Sequence, residues 1–143
     1  PDEAVSFLKT WSRKLDHGGG FLIGADLKKE ASIFQRAYDD SQGVTARFNL
    51  NLLTRINREA GGKFNLDHFE HEARYNPELG RVEMHLRSKV DQLVRVSETV
   101  FRFRRGETIH TECSYKYSVD EFIALCARAI LKFRKLWKDP QGL

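Results

Sequence analysis

Apolar positions early in the chain fall at Val5, Leu8, Trp11 and Leu15, three and four apart, which predicts one helix over Asp2–Leu15. His17-Gly18-Gly19-Gly20 ends it, because glycine adopts the left-handed conformation of a helix exit. Phe21–Leu27 is then a nearly continuous apolar run carrying one aspartate, Asp26. Such runs form strands of parallel sheets, where helices cover both faces. The helical period returns at Ile33, Phe34 and Ala37, a helix ending at Tyr38-Asp39-Asp40. A second helix starts near Val44 and runs through Phe48, Leu52, Leu53 and Ile56 to Gly61-Gly62. Leu66–Phe69 suggests one short helical turn.

Beyond that turn the period becomes two. Arg81–Leu86 alternates strictly after the turn Asn76–Gly80, and Leu93–Val96 and Thr99–Phe103 read as further strands. After Arg105-Gly106-Glu107 comes an extended segment, Thr108–Tyr117, and together these strands predict an antiparallel meander. Ser118-Val119-Asp120-Glu121 has the form of a capping box and opens a helix through Phe122, Leu125, Cys126 and Ala129. Phe133, Leu136 and Trp137 form a last strand-like stretch before Asp139-Pro140. The expected organisation is an α/β segment (residues 1–35), an α+β insert with antiparallel strands (36–117) and a return to the α/β segment (118–143). No repeat or low-complexity stretch interrupts it.

Composition narrows the class. With 143 residues, 41% hydrophobic and 31% charged, the chain has the balance of a soluble globular domain. No apolar run approaches the roughly 18 residues of a membrane helix, and no signal-peptide pattern opens the chain. It begins at Pro1 and reads as a piece of something larger. Cys113 and Cys126 lack the spacing of a metal knuckle or disulfide framework, which fits reduced thiols and a cytoplasmic setting. The net charge of +4 permits an anionic partner without requiring one. Its densest basic run, Arg102-Phe103-Arg104-Arg105, is narrower than a nucleic-acid footprint and fits a solvated hairpin, so neither a nucleic acid nor a membrane is expected as partner.

Candidate chemistry is sparse. Gly18–Gly20 precedes a strand, whereas nucleotide-binding loops follow a strand and open a helix. His68 and His71, three apart with Glu70 and Glu72 beside them, share a face if helical. Without a third ligand at fixed spacing they read as an exposed polar face, and no metal is expected. No nucleophile elbow or Cys/His signature is present. Glu112 and Ser114, two apart on an extended strand, point the same way about 7 Å apart. A carboxylate and a hydroxyl so placed can hold a planar nitrogen-rich group. On spacing alone a solvated strand face accounts for them as well.

Several blocks resemble one family: Gly19–Lys29, Ala37–Asp40, Gly43–Glu59, His71–Asn76, Val82–Leu86 and Gly106–Tyr117, ending at Trp137–Pro140. In order and nearly without gaps, they resemble the histidine-specific, S-adenosylmethionine-dependent methyltransferases, whose best-known members make the histidine betaine of ergothioneine biosynthesis. The resemblance implies a class I (Rossmann-like) methyltransferase domain interrupted by a substrate-binding insert. It implies that Tyr38 holds the substrate's carboxylate, that Glu112 and Ser114 grip the imidazole, and that Phe48 and Met84 wall the pocket. The implied reaction is direct methyl transfer from the sulfonium to the α-amino nitrogen. Positioning and a deprotonated amine matter there more than a strong catalytic group, and no catalytic residue is expected in this chain.

Two departures stand out. Cys113 occupies a position where the family often has asparagine, and Ile130-Leu131 replaces a glycine-aromatic helix exit. By the same resemblance, the glycine-rich cofactor loop, the acidic residue for the ribose and an asparagine-bearing loop are expected upstream of Pro1, and a final sheet strand just after Leu143. S-adenosylmethionine would then be bound mainly outside this chain, which alone would be inactive and would self-associate through an uncovered sheet edge. A catalytically silent binding module, or a methyltransferase of a different amine, are the alternatives.

Overall fold

The computed structural model describes residues 2–16 and 18–139. Contacts divide the chain into two compact units, one of residues 29–115 and one of the segments before and after it.

The central unit is a small sheet covered on one face by helices. It holds α2 (Ala31–Tyr38), α3 (Val44–Glu59), a 3₁₀ turn (Leu66–His68), β1 (Phe69–Asn76), β2 (Arg81–Ser88), β3 (Gln92–Val96), β4 (Thr99–Phe103) and β5 (Thr108–Tyr115). α3 starts where Asp40 accepts hydrogen bonds from the backbone N–H groups of Val44 (2.9 Å) and Thr45 (2.8 Å), satisfying donors that an α-helix leaves open. It ends at Gly61, whose φ of +64° needs glycine. Its inward residues, Asn49 and Leu53, are four apart.

β1, β2 and β5 form one antiparallel sheet in the order β1-β2-β5, while β3 and β4 form a separate two-stranded sheet, with Val96 of β3 also bridged to Gly62. The expected continuous meander is therefore corrected: β3–β4 is a separate hairpin inserted between two neighbouring strands. Its Val94 is buried in one core with Leu53, Phe69 and Leu86, which removes the need for edge pairing with β2. Arg102 lies in β4, and Arg104 and Arg105 in the turn that follows. β1 is a strand the alternation rule missed, since His71 breaks the apolar series of Phe69, Ala73 and Tyr75. His68 lies on the 3₁₀ turn and His71 on β1, so they do not share a helix.

In the flanking unit, α1 (Asp2–Ser12) packs against α4 (Val119–Arg128) through Val5, Leu8, Leu125 and Ala129. The capping box is present: Ser118 Oγ accepts from the Glu121 N–H (3.1 Å) and the Ser118 N–H donates to Glu121 Oε2 (2.7 Å). The expected strand at Phe21–Leu27 does not form. A strand requires a paired neighbour along its length, and here Leu27 makes one parallel bridge, to Tyr117. That bridge is supported by the buried Lys116 ammonium on Asp26 at 2.7 Å. The stretch Phe133–Trp137 likewise has no strand pairing. Both stretches leave large apolar side chains outward, Leu22 at 88% and Trp137 at 66% exposure.

Candidate functional site on the helix-covered sheet face

Register decides which side chains meet. Val82 faces Ser114 and Met84 faces Glu112, so these four project from one face of the β2–β5 pair. On β1 the same face carries Tyr75, opposite Val82, and Ala73, opposite Met84. α2 and α3 cover it, with the Phe34 ring on Tyr75 (4.9 Å between centroids) and Leu53 against Phe69 and Leu86. Glu112 and Ser114 thus point together, as their spacing suggested. Tyr38, at the end of α2, brings its hydroxyl to 3.0 Å from Ser114 Oγ. Met84 is buried beneath this group and Glu112 stands exposed beside it. Phe48, on the outer side of α3, is 67% exposed.

Tyr38 is held from behind. The Tyr38 carbonyl lies 2.7 Å from His71 Nε2 and can only accept, so that nitrogen carries the proton. His71 Nδ1 then accepts from Asn49 Nδ2 at 3.0 Å, and Asn49 also donates to the His85 carbonyl at 3.0 Å. Both nitrogens of His71 are thereby engaged. Asn49 is only 4% exposed, so each of its bonds replaces water that cannot reach it. Sequence reasoning did not single out Asn49. Its signal is a polar residue on the helix face otherwise marked by Leu53.

A bulge between Met84 and His85 shifts the register of β5 and leaves Thr111 unmatched, with its Oγ1 donating to the Met84 carbonyl at 2.9 Å. In consequence Glu112 and Ser114 face the helices while His110 turns to the opposite face, beside His85. That face carries Glu70, Glu72, Arg74, Arg81, Glu83 and Arg87. Arg81 donates to Glu83 Oε1 (2.7 Å) and to the Tyr115 hydroxyl (2.9 Å). The Arg81 hydrogen bond holds the Glu83 carboxyl below the usual range, and burial keeps the His85 imidazole below its ordinary pKa.

Glycines between a strand and a helix would mark a seat for S-adenosylmethionine. Gly18, Gly19 and Gly20 follow α1 and lead into an extended segment, not a helix, so they do not make a loop that cradles the cofactor. These three glycines are therefore not a seat for that group.

The chain is a mixed α/β protein with antiparallel sheets, and the Glu112 carboxylate, the Tyr38 and Ser114 hydroxyls and Met84 lie on one sheet face. Residues 1–143 match the family described as histidine-specific methyltransferase, SAM-dependent, and the chain belongs to that family. It is 41% identical to the histidine N-alpha-methyltransferase of Mycolicibacterium smegmatis over 99% of this chain and 45% of that protein. With the histidine N-alpha-methyltransferase of Mycobacterium tuberculosis the identity is 40%, over the same shares. The L-tryptophan methyltransferase trpM of Psilocybe serbica is 32% identical over 99% of this chain and 40% of its own length. The chain thus spans less than half the length of these curated relatives.

Proposed function

We propose that this chain supplies amino-acid recognition to an S-adenosylmethionine-dependent Nα-methyltransferase whose substrate is histidine. In this reading residues 36–117 are the substrate-binding insert. The segments 1–35 and 118–143 belong to a Rossmann-like domain working in the cytoplasm. The observation that carries the proposal is the convergence of Tyr38, Ser114 and Glu112 on one sheet face, with the two hydroxyls 3.0 Å apart. Histidine N-alpha-methyltransferases at about 40% identity support the choice of substrate.

Imidazole presents one N–H donor and one ring acceptor. The Glu112 carboxylate accepts from the first and the Ser114 hydroxyl donates to the second, a complementarity that an apolar side chain lacks. The Tyr38 hydroxyl, which donates to Ser114 Oγ in the free chain, turns its one proton to the carboxylate of the amino acid. Two hydroxyls at this separation, each bonding outward over about 2.8 Å, reach groups as far as ~8 Å apart, enough for the two ends of one amino acid. Met84 forms the apolar floor. When bound, S-adenosylmethionine supplies the electrophilic methyl group. The residues here fix the orientation of the amine, which is where positioned reactions gain most.

Glu112→Gln keeps the shape and removes the charge. Hydrogen bonds to charged groups contribute about 1.5–3 kcal/mol, so calorimetry is expected to show histidine affinity reduced by roughly tenfold or more. Unchanged affinity would contradict the assignment.

A further inference from the structure

The sheet face opposite the recognition cluster brings together three metal-ligating side chains. Glu83 and His85 are two apart on β2, and His110 sits across from His85 on β5 only because the bulge at Thr111 turns it to that side. The two imidazole rings stack at 4.7 Å. One ligand atom from each of Glu83, His85 and His110 lies within 4.8 Å of the others. We propose that these residues bind a divalent transition-metal cation of the zinc class, at a site separate from amino-acid recognition and not dependent on it.

His85 gives the independent reason. The residue is 6% exposed and its buried Nδ1 has no hydrogen-bond partner among the described residues, while Nε2 faces Glu83 Oε2 at 3.4 Å. A neutral ring with its proton on Nε2 buries the Nδ1 lone pair unmatched. With the proton on Nδ1, a buried N–H lacks an acceptor and the Nε2 lone pair opposes a carboxylate oxygen. Neither tautomer satisfies the ring, which is costly at this depth. A cation at Nε2 removes the second of these conflicts, because lone pair and carboxylate then share one positive charge, while Nδ1–H stays without an acceptor among the described residues.

The geometry is close to what zinc requires. Ligand atoms at about 2.0–2.1 Å around a tetrahedral ion are roughly 3.3 Å apart, near the Glu83–His85 separation. The remaining closure belongs to His110, the exposed member. His110 Nε2 lies 3.0 Å from the Glu112 carbonyl, which can only accept, so Nε2 is protonated and Nδ1 keeps its lone pair. Metal-bound histidines commonly hold their second nitrogen in this way. Arg81 leaves Glu83 Oε2 to the cluster by holding Oε1. Glu70, Glu72 and Glu83 balance Arg74, Arg81 and Arg87 on this face, so no net positive charge repels a dication.

The test is titration of the 143-residue chain with zinc chloride in a calorimeter, for the native sequence, His110→Ala and Glu83→Gln, with folding checked by circular dichroism. One saturable site is expected, weakened at least tenfold by each substitution. No saturable binding, or unchanged affinity in either variant, overturns the proposal. A measurement without substitutions complements it: zinc should protect His110 from diethyl pyrocarbonate while His68 stays reactive. Equal modification of His110 with and without zinc overturns it too.

Discussion

At the scale of single residues, two positions depart from ordinary local chemistry. Ile130 has φ +64°, a left-handed conformation in which a β-branched side chain crowds its own backbone. It stands where α4 exits, with the N–H of Ile130 on the Ala127 carbonyl and that of Leu131 on the Cys126 carbonyl, the pattern glycine usually completes. The glycine missing from the motif at this position thus has a physical consequence. Ile130 is 85% exposed, so little packing is lost when it is replaced. Ile130→Gly is expected to stabilise the chain by about 1 kcal/mol, read as a higher midpoint in urea. A lower midpoint would contradict this account of the helix exit. Asn49 is the other position. One buried amide ties β1, β2 and, through His71, the end of α2 together, and no periodicity rule foresees a polar residue in that role.

At the scale of elements, legibility followed local chemistry. The cap of α4, and the strand of strict alternation, β2, could be read from neighbouring residues because their causes are local. β1 could not, since His71 on the helix-covered face breaks the apolar series of Phe69, Ala73 and Tyr75. The hairpin β3–β4 was legible as two strands. Its separation from the main sheet was not, because pairing partners are set by the core around Leu53 and Val94. The bulge at Thr111 escaped for the same reason: plain alternation puts His110 with Glu112 and Ser114, whereas pairing with β2 sends it to the other face. Glu112 and Ser114 lie beyond the bulge, so their shared direction was readable from spacing.

The start of α3 makes an acid-sensitive prediction. Backbone hydrogen bonds from Thr45 and Val44 hold the Asp40 carboxyl down at about 2 against an ordinary 3.8. A carboxyl whose folded pKa is depressed favours folding above its unfolded pKa, and that contribution fades as pH falls through the folded value. Thermal melts between pH 5 and pH 2 should therefore show native protein losing more stability than Asp40→Asn, which cannot titrate there. Parallel acid losses in the two would contradict the cap's role.

At the scale of the molecule, the two units differ in how complete they are. The central unit buries Leu53, Phe69, Leu86 and Val94 behind its helices. The flanking unit leaves Phe21, Leu22, Ile23, Phe133, Leu136 and Trp137 exposed, more apolar surface in one place than a stable monomer commonly shows. Self-association is expected through these residues, not through a sheet edge, since Phe21–Leu27 forms no strand. Light scattering should give a mass above the 16.6 kDa of one chain, falling when Leu22 and Trp137 are changed to serine. A monomer mass for the native chain would contradict it.

The central claim, that histidine is recognised on the helix-covered sheet face, is tested most directly by an NMR titration of the chain with L-histidine, read residue by residue. The account predicts saturating shifts at Tyr38, Met84, Glu112 and Ser114, and their loss in Glu112→Ala. Shifts confined to the opposite face, or shifts at these four residues that survive Glu112→Ala, would contradict it.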